Sequence, residues 1–275
     1  MNAARRVVAL LLLLVGMGVM LYPVVGTLLN EQSFSNAVDH YEEKMGMLSD
    51  DEREAMLAEA HAYNDSLRGD PVRDPFIPHS GFALPDNYES VLDVDGEGLM
   101  GTVSIPVIGV ELPIRHGVSD GVLEQGVGHI PQTSLPVGGE GTHSVLTSHT
   151  GLPTARLFTD LAMLKKGDVF IIDMLGEKRA YAVDDITVIE PSDLSAVRID
   201  SEHDYVTLLT CTPYGLNTHR LLVRGAPCAL PEAGKLVDMR VPLQMEMLVW
   251  GIAFLSLSAI ITAALRIHRM RKRAG

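Results

Sequence analysis

The chain has 275 residues, of which 47% are hydrophobic and 21% charged, and its formal net charge is −13. A chain of this length can form one or two domains with a real core, and its composition excludes a fully disordered protein. The positive mean hydropathy of +0.17 is unusual for a globular protein. Its source is two long apolar runs, one near each end of the chain.

The first apolar run extends from Val7 to Val25 and the second from Met247 to Leu265, with 19 residues in each. As a helix, each would be roughly 30 Å long, which matches the hydrocarbon core of a bilayer. Basic flanking residues stay in the cytoplasm. These flanks are Arg5, Arg6, Arg266, Arg269, Arg271, Lys272 and Arg273. We therefore expect a transmembrane helix at each end, both termini in the cytoplasm, and residues from about 31 to 245 outside.

Each run has an alternative interpretation. The first could be a cleaved signal peptide, but the nearest small-x-small site, Ser35–Ala37, lies far beyond its apolar stretch. The second could be a buried core helix, but its terminal position and basic tail favour a membrane helix. Uncleaved anchors at both ends remain the prediction.

The charge of the expected outer part is strongly acidic. All 35 acidic residues lie between Glu31 and Glu246 together with 15 of the 22 basic ones, a net charge of −20. Such a surface disfavours nucleic acid as a partner. The chain has two cysteines, Cys211 and Cys228, and because extracellular cysteines are usually paired, a disulfide between them is one alternative.

The outer part begins with two predicted helices. Apolar residues at helical spacing predict the first over residues 31–47. Ser49 and Glu52 form a capping-box pair that opens the second, from Asp50 to about Leu67. We interpret both as a spacer and packing arm. From Gly69 to Tyr88, prolines and glycines predict a long loop, which is typical of a linker or a functional lid.

From about Leu99 the apolar pattern changes to a period of two, which is typical of strands. Turn signals separate the predicted strands, which are Gly101–Ile105, Gly109–Pro113, Ser144–Thr147, Asp168–Asp173, Arg179–Glu190, Tyr205–Thr210 and Arg220–Gly225. One short helix is predicted near Thr154–Leu164. Many short strands with a single small helix predict a mainly β domain, either a closed barrel or a sandwich.

The segment from Thr207 to Gly225 has the pattern of a β-hairpin. One strand ends on Cys211, a turn rich in Pro, Gly and Asn follows, and the next strand begins near Arg220. If the strands pair, Cys211 and Arg220 lie close together. A neighbouring positive charge and exposure favour a thiolate, and a guanidinium can donate to the oxyanion of a tetrahedral intermediate. Without Cys211 beside it, Arg220 would be read as an ordinary surface arginine.

A cysteine nucleophile needs an acid–base partner, which is most often histidine. The chain has 10 histidines. His149 is the best candidate because it follows a buried-looking strand and precedes a Gly–Pro turn, so it projects from a strand end. His203, by contrast, lies in a polar loop.

These residues lie in a longer pattern. The stretch Thr207–Gly215, Thr-Leu-Leu-Thr-Cys-Thr-Pro-Tyr-Gly, followed by Asn217–Arg220, resembles the catalytic signature of sortases. Further blocks occur in the same order, namely Gly126–His129, Thr133–Gly139, Thr142–His143, the His149 segment and Leu157–Leu161. More narrowly, the chain is similar to class C, the pilus-assembling sortases of Gram-positive bacteria. The resemblance implies a closed sortase-type β-barrel with short helices, an N-terminal helical arm and a transmembrane helix at each end.

The resemblance also implies roles for individual residues. By position, Cys211 matches the nucleophile, His149 the catalytic histidine and Arg220 the transition-state arginine. The segment Asp74, Pro75 and Phe76 resembles the class C lid motif, in which the Asp pairs with the arginine and the aromatic ring covers the cysteine. The alternative is that this segment is a chance turn.

The chain departs from the family at two positions beside the histidine. Ser148 stands where sortases usually have Gly, and Thr150 where Arg is more usual. We expect both to affect substrate preference rather than the chemistry. His129 and His143 match no catalytic position of the family and are interpreted as structural.

The implied function is that of a cysteine transpeptidase at the cell membrane, with the catalytic domain on the extracellular face. Cys211 would cleave an LPXTG-like sorting signal of a secreted pilin between Thr and Gly through a thioacyl-enzyme. A lysine amine of another pilin would then form an isopeptide bond, with His149 acting first as acid and then as base. The implied partners are therefore LPXTG-bearing pilins. The mechanism needs no cofactor, and no metal site is predicted.

The expected domain organisation follows from these segments: anchor 1–30, helical arm 31–68, lid loop 69–90, catalytic barrel 91–232, linker 233–246, and C-terminal transmembrane helix with basic tail 247–275. The alternatives are a housekeeping sortase that attaches proteins to peptidoglycan, a hydrolytic cysteine protease, and a non-enzymatic membrane-tethered binding module. The lid motif and the C-terminal anchor favour the pilus type. A metal hydrolase at His143 and His149 is disfavoured because no HExxH-type helix accompanies them.

Overall fold

A computed structural model describes residues 3–67, 87–193, 195–232, 240 and 251 of the chain. Its internal contacts divide the chain into two units, 1–238 and 239–275, and the elements below belong to the first. The proposed lid residues Asp74, Pro75 and Phe76 lie outside the described residues, as does the second apolar run apart from Gly251.

The N-terminal region forms two helices, α1 (Ala3–Met47) and α2 (Asp50–Ser66). The predicted capping box at the start of α2 is confirmed, because the Ser49 hydroxyl accepts from the Glu52 N–H and the Glu52 carboxylate accepts from the Ser49 N–H at 2.8 Å. Helix α1 passes the expected boundary at residue 30 without a break. Within the part of the chain that the structure describes, no helix meets the length and hydropathy expected of a membrane span.

Both helices of the predicted arm lie against the body of the protein. The Tyr63 hydroxyl of α2 donates to the Pro131 carbonyl at 2.6 Å, and the Tyr41 hydroxyl of α1 donates to the Asp173 carboxylate at 3.1 Å. Phe34, Tyr41 and Met45 of α1 also contribute to the main hydrophobic core. The arm therefore stabilises the fold as well as preceding it.

The remaining described chain forms a closed β-barrel, which decides between the two predicted architectures. Around the barrel the strand order is β1-β2-β3-β4-β7-β8-β6-β5. The strands are β1 (Leu99–Ile105), β2 (Val110–His116), β3 (Val127–His129), β4 (Thr142–Thr147), β5 (Val169–Met174), β6 (Glu177–Ile189), β7 (Asp204–Thr212) and β8 (His219–Cys228). All seven predicted strands are present, with ends shifted by a few residues.

The structure differs from the prediction at three local elements. Strand β3 and the five-residue helix α3 (Asp120–Glu124) were not predicted, because elements this short show no clear period. The helix predicted over Thr154–Leu164 is only a 3₁₀ turn, Thr159–Met163. Leu157 interrupts it, since its φ of 44° lies in the left-handed region, which an α-helix cannot accommodate.

Alternation along the strands gives the barrel two apolar layers. Side chains such as Leu146, Leu208 and Val223 belong to the large core inside the barrel. Their neighbours Val145, Leu209 and Leu222 point to the opposite face, where they form a second cluster. Val197, in the segment between β6 and β7, is fully buried against this outer cluster.

Candidate active site

The β7–β8 hairpin is formed as the sequence predicted. The two strands are antiparallel, and Cys211 lies directly opposite Arg220 in their register. Side chains at such positions have Cβ atoms about 4.5–5.5 Å apart. The turn between them is tight, with Gly215 and Asn217 at φ values of 77° and 55°. Glycine and asparagine tolerate this left-handed conformation better than other residues, so the turn residues suit the close approach of the two strand ends.

The charged side chain of Arg220 is buried at this turn. It is only 5% exposed, and its Nη1 donates to the backbone carbonyls of Asn217 at 3.3 Å and His219 at 3.2 Å. These carbonyls fix the guanidinium beside the end of β7. A permanent positive charge is therefore located next to the half-buried Cys211, where it favours the thiolate.

His149 reaches the same place from β4. Strands β4 and β7 are parallel, with Thr147 opposite Leu209. The pairing continues beyond the strand, because the Ser148 N–H donates to the Leu209 carbonyl at 3.3 Å and the Thr210 hydroxyl donates to the Ser148 carbonyl at 2.8 Å. The residues immediately before His149 and Cys211 are thus hydrogen-bonded to each other. The three predicted site residues come together at one end of the barrel.

Because successive side chains of a strand point to opposite faces, the reactive side chains and their immediate neighbours lie on different sides of the sheet. Ser148 and Thr210 are buried, whereas His149 and Cys211 are only half-buried. The Ser148 hydroxyl donates to the Gly126 carbonyl at 2.6 Å, just before β3. From the sequence alone, Ser148 is noted only as a residue that differs from the family pattern. Its position in the buried half of the alternating pattern is the signal that could have shown its structural importance.

The environment of His149 acts on its pKa in two directions. Burial disfavours the charged imidazolium and lowers the pKa of His149 below its usual value. The carboxylates of Asp120 and Glu124 oppose this effect and raise the pKa. Both acids lie on α3, which the sequence pattern did not predict. The helix therefore contributes to the electrostatics of the site.

The outer apolar cluster adjoins the reactive residues. Val145 and Leu209 precede His149 and Cys211 on the same outward-facing alternation, and Leu222 follows Arg220 in the same way. Ile130 and Val197 complete the cluster. All five side chains are buried, so the cluster is a packed apolar support beneath the strand ends that carry the reactive residues.

The other candidates from the sequence lie elsewhere. His129 is completely buried, contacts the Tyr88 hydroxyl at 3.0 Å and the Ser134 carbonyl at 2.9 Å, and burial lowers its pKa to about 3. His143 is also buried, with the Arg198 carbonyl and the Thr207 hydroxyl each 2.8 Å from its ring nitrogens. These contacts agree with the structural interpretation of both residues.

Cys228 does not belong to the site. It lies eight residues beyond Arg220 on β8, roughly 26 Å away along a strand. Neither cysteine is in a disulfide, so the alternative of a Cys211–Cys228 bridge is wrong. Burial raises the pKa of the Cys228 thiol. Among the described residues, no three His, Cys, Asp or Glu side chains lie close enough together to hold a metal ion.

Comparison with known proteins agrees with this geometry. The family model of the sortase domain matches residues 103–228, which include β4, β7 and β8. Sortase A of Bacillus anthracis is 30% identical over 152 residues, covering 54% of this chain and 70% of the relative. Sortase D of Bacillus subtilis is 29% identical, and the match covers 42% of this chain and 54% of that protein. The chain therefore belongs to the sortase family, whose members are cysteine transpeptidases.

Solved structures narrow the resemblance within the family. Sortase C1 of GBS pilus island 1 is 42% identical with a TM-score of 0.67, covering 75% of this chain and 97% of that one. Sortase C of Streptococcus pneumoniae is 40% identical with a TM-score of 0.65, covering 71% and 97%. Sortase C-1 of Actinomyces oris is 46% identical with a TM-score of 0.60, covering 65% and 98%. Within its family, the chain is thus similar to class C sortases.

Proposed function

We propose that this protein is a membrane-anchored class C sortase that joins pilins through a Cys211 thioacyl-enzyme. The strongest support is the strand pairing at the site. Cys211 lies opposite Arg220 in the β7–β8 register, and Thr210, the residue before Cys211, donates a hydrogen bond to Ser148, the residue before His149. A nucleophile, a fixed cation and an imidazole at one barrel end are the groups that acyl transfer through a cysteine requires.

The first half-reaction forms a thioester. The Cys211 thiolate attacks the threonine carbonyl of an LPXTG-like signal, and the Arg220 guanidinium donates to the oxyanion of the tetrahedral intermediate. His149, as the imidazolium, protonates the glycine amine as the threonine–glycine C–N bond breaks. The glycine-bearing fragment departs as a neutral amine. The threonine remains on Cys211 as the acyl group.

The second half-reaction reverses the roles. A lysine amine of another pilin attacks the thioester carbonyl, and the now neutral His149 accepts its proton. The carbon–sulfur bond breaks, Cys211 returns as a thiolate, and an isopeptide bond joins the two pilins. An imidazole that changes protonation state between the two steps needs a pKa near the working pH. Burial lowers the pKa of His149, and the carboxylates of Asp120 and Glu124 oppose this effect and so favour the imidazolium that the first step needs.

The proposed location is the membrane, with both termini in the cytoplasm and the barrel outside. The support for it lies in the two 19-residue apolar runs and their basic flanks. Continuity of α1 from residue 3 to residue 47 is compatible with a span that leads directly into the arm. Flotation of the full chain with lipid vesicles tests this part of the proposal separately from catalysis.

The choice of pilins over peptidoglycan as acceptor is supported by identity. The class C structures are 38–46% identical to this chain, whereas the relatives named sortase A are 25–30% identical. Several of the structural neighbours are described as pilus-related. Supplying a purified pilin lysine peptide and a peptidoglycan stem peptide as competing acceptors distinguishes the two functions. The product masses identify the acceptor used.

The decisive experiment traps the thioacyl-enzyme. The full chain in detergent is incubated with an LPXTG peptide without an amine acceptor, and the adduct is located by mass spectrometry of the digested protein. We expect the peptide acyl group on Cys211, none in Cys211→Ala, and a normal adduct in the matched control Cys228→Ser. Adding a lysine peptide should convert the adduct to an amide, whereas a hydrolytic protease would release the acid. Absence of any adduct, with the lid variants below included, refutes the transpeptidase proposal.

The lid is proposed from its resemblance to the class C motif. In that proposal Asp74 pairs with Arg220 and Phe76 covers Cys211, which keeps the thiol from substrate. Replacing both residues with Ala should therefore speed alkylation of Cys211 by a small thiol reagent, while alkylation of Cys228 stays unchanged. Equal rates in the variant and the parent protein would show that the segment is not a lid.

A further inference from the structure

Helix α1 packs against the loop that follows the catalytic histidine. The Asn30 side chain donates to the Thr154 carbonyl at 2.8 Å. One turn earlier, a Cβ built on Gly26 would lie only 2.5 Å from the Thr154 methyl group, so a glycine is needed for the helix to approach so closely. Thr154 is five residues after His149. The helix therefore contacts the catalytic end of the barrel.

The direction of α1 along the barrel follows from a second contact. Eleven residues after Asn30, Tyr41 donates to Asp173 beside the β5–β6 turn. Strand β6 begins at that turn and ends opposite Arg220, so the turn lies at the barrel end away from the active site. Helix α1 thus runs along the barrel from the catalytic end to the distal end. Its N-terminal continuation extends beyond the catalytic end.

The apolar run of α1 stops where this contact begins. The run ends at Val25, and the first charged residue is Glu31. Asn30 is about 7 Å farther along the helix axis than Val25, and the two residues before it, Leu28 and Leu29, are 61% and 67% exposed. With the run in a bilayer, the loop containing Thr154 would lie at the level of the outer lipid surface.

Two apolar side chains extend from this same end of the barrel. Tyr214 and Leu216, in the turn directly after Cys211, are 59% and 72% exposed. The Tyr214 ring packs on the histidine loop, because a Cβ built on Gly151 would be 3.4 Å from its Cε2 atom. The contacts Tyr214–Gly151 and Thr154–Gly26 link this turn to the end of the apolar run.

We propose that Tyr214 and Leu216 insert into the outer lipid surface, so that the active site opens directly at the membrane. This inference rests on the proposed membrane anchoring. The contact is apolar rather than electrostatic, because the two exposed side chains, Tyr214 and Leu216, carry no charge. An amphipathic tyrosine and an exposed leucine are side chains suited to the boundary between headgroups and acyl chains.

Spin labelling tests the location directly. In full chain carrying Cys211→Ala and Cys228→Ser, Leu216→Cys and, separately, Leu230→Cys are labelled with a nitroxide and reconstituted in phosphatidylcholine vesicles. Leu230 is a matched control, since it is 52% exposed and follows β8 at the distal end. We expect the label at 216 to collide more with oxygen than with a water-soluble nickel chelate, and the label at 230 to show the opposite. The same collision ratio at both positions overturns the proposal.

A functional comparison provides the second test. Leu216→Asp should slow ligation of a lipid-tethered LPXTG peptide in vesicles about tenfold, equivalent to roughly 1.4 kcal/mol, at both low and high salt. The rate with the soluble peptide in detergent should not change, and Leu230→Asp should affect neither rate. Equal loss on both peptides would instead make Leu216 a substrate contact and overturn the proposal.

These outcomes remain distinguishable from failure of the proposed function. If the full chain does not float with vesicles, the anchoring fails and the lipid contact fails with it. If the chain floats and forms the Cys211 adduct but the label at 216 stays in water, only the lipid contact fails.

Discussion

The hydrogen bond from the Thr210 hydroxyl to the Ser148 carbonyl should support catalysis although neither residue reacts. The replacement Thr210→Val keeps the shape of the side chain and removes the donor. Thr210 is 2% exposed and the bond is 2.8 Å long, so the Ser148 carbonyl loses a partner in a buried site. Such a loss costs about 1–3 kcal/mol. If that energy holds His149 beside Cys211, kcat should fall about tenfold to a hundredfold while KM changes little.

The same chain provides a matched control. Thr142, 8% exposed, donates its hydroxyl to the Gly139 carbonyl at 2.7 Å, at the opposite end of β4 from His149. Thr142→Val should lower the melting temperature about as much as Thr210→Val and leave kcat unchanged. Melting in detergent and initial rates of peptide ligation measure the two effects. Equal losses of kcat in the two variants, or none in Thr210→Val, would refute the positioning argument.

Three further predictions follow from the structure. Replacing Asp120 and Glu124 with Asn and Gln should lower the pKa of His149, so the alkaline limb of the acylation rate, which needs the imidazolium, moves to lower pH. The pKa of His129 is about 3 when folded and near 6.5 when unfolded, so its contribution to stability is complete above pH 6.5 and falls by about 1.4 kcal/mol per pH unit toward pH 3. Gly225→Ala should lower the melting temperature, because its Cβ would lie 2.6 Å from a ring inside the barrel.

Each of these predictions has its own contrary result. An unmoved alkaline limb would mean that the carboxylates do not act on His149. For His129, the unfolding free energy of a His129→Gln variant should depend less steeply on pH by one proton, and an identical slope contradicts the assignment. Gly46→Ala is the control for Gly225→Ala, since nothing lies within 4 Å of a Cβ at residue 46. Similar melting temperatures for the two variants would show that the barrel interior accommodates a methyl group at residue 225 without strain.

Much of the fold was predictable because its strands carry local signals. The period-two runs and the turns between them gave seven of the eight strands. The capping pair Ser49 and Glu52 gave the start of α2. The period-two pattern could not show whether the sheet closes into a barrel, because closure depends on pairing between strands that are far apart in sequence. Strand β3, with three residues, lies between β2 and β4 in the barrel and is too short to show a period.

The active site likewise has one part that the sequence could predict and one part that it could not. Pairing of Cys211 with Arg220 was predictable from the sequence alone, because a hairpin joins residues separated by one short turn. Bringing His149 to them requires β4 to pair in parallel with β7, and the partners are 62 residues apart, as Ser148 and Thr210 show. Parallel pairing leaves no local pattern at either strand. The family resemblance implied that contact, and the parallel pairing of β4 with β7 is its physical basis.

Ser148 shows why a departure from a family pattern needs a structure to be interpreted. A glycine at this position would leave the Gly126 carbonyl without the hydroxyl that now lies 2.6 Å from it. The serine therefore adds a link between the end of β4 and the chain before β3, inside the barrel and directly behind His149. Because alternate residues of one strand face opposite sides, this link can stiffen the histidine's backbone without occupying the space that a substrate needs. In contrast to the expectation from the sequence alone, changes at Ser148 should therefore lower kcat before they alter the choice of substrate.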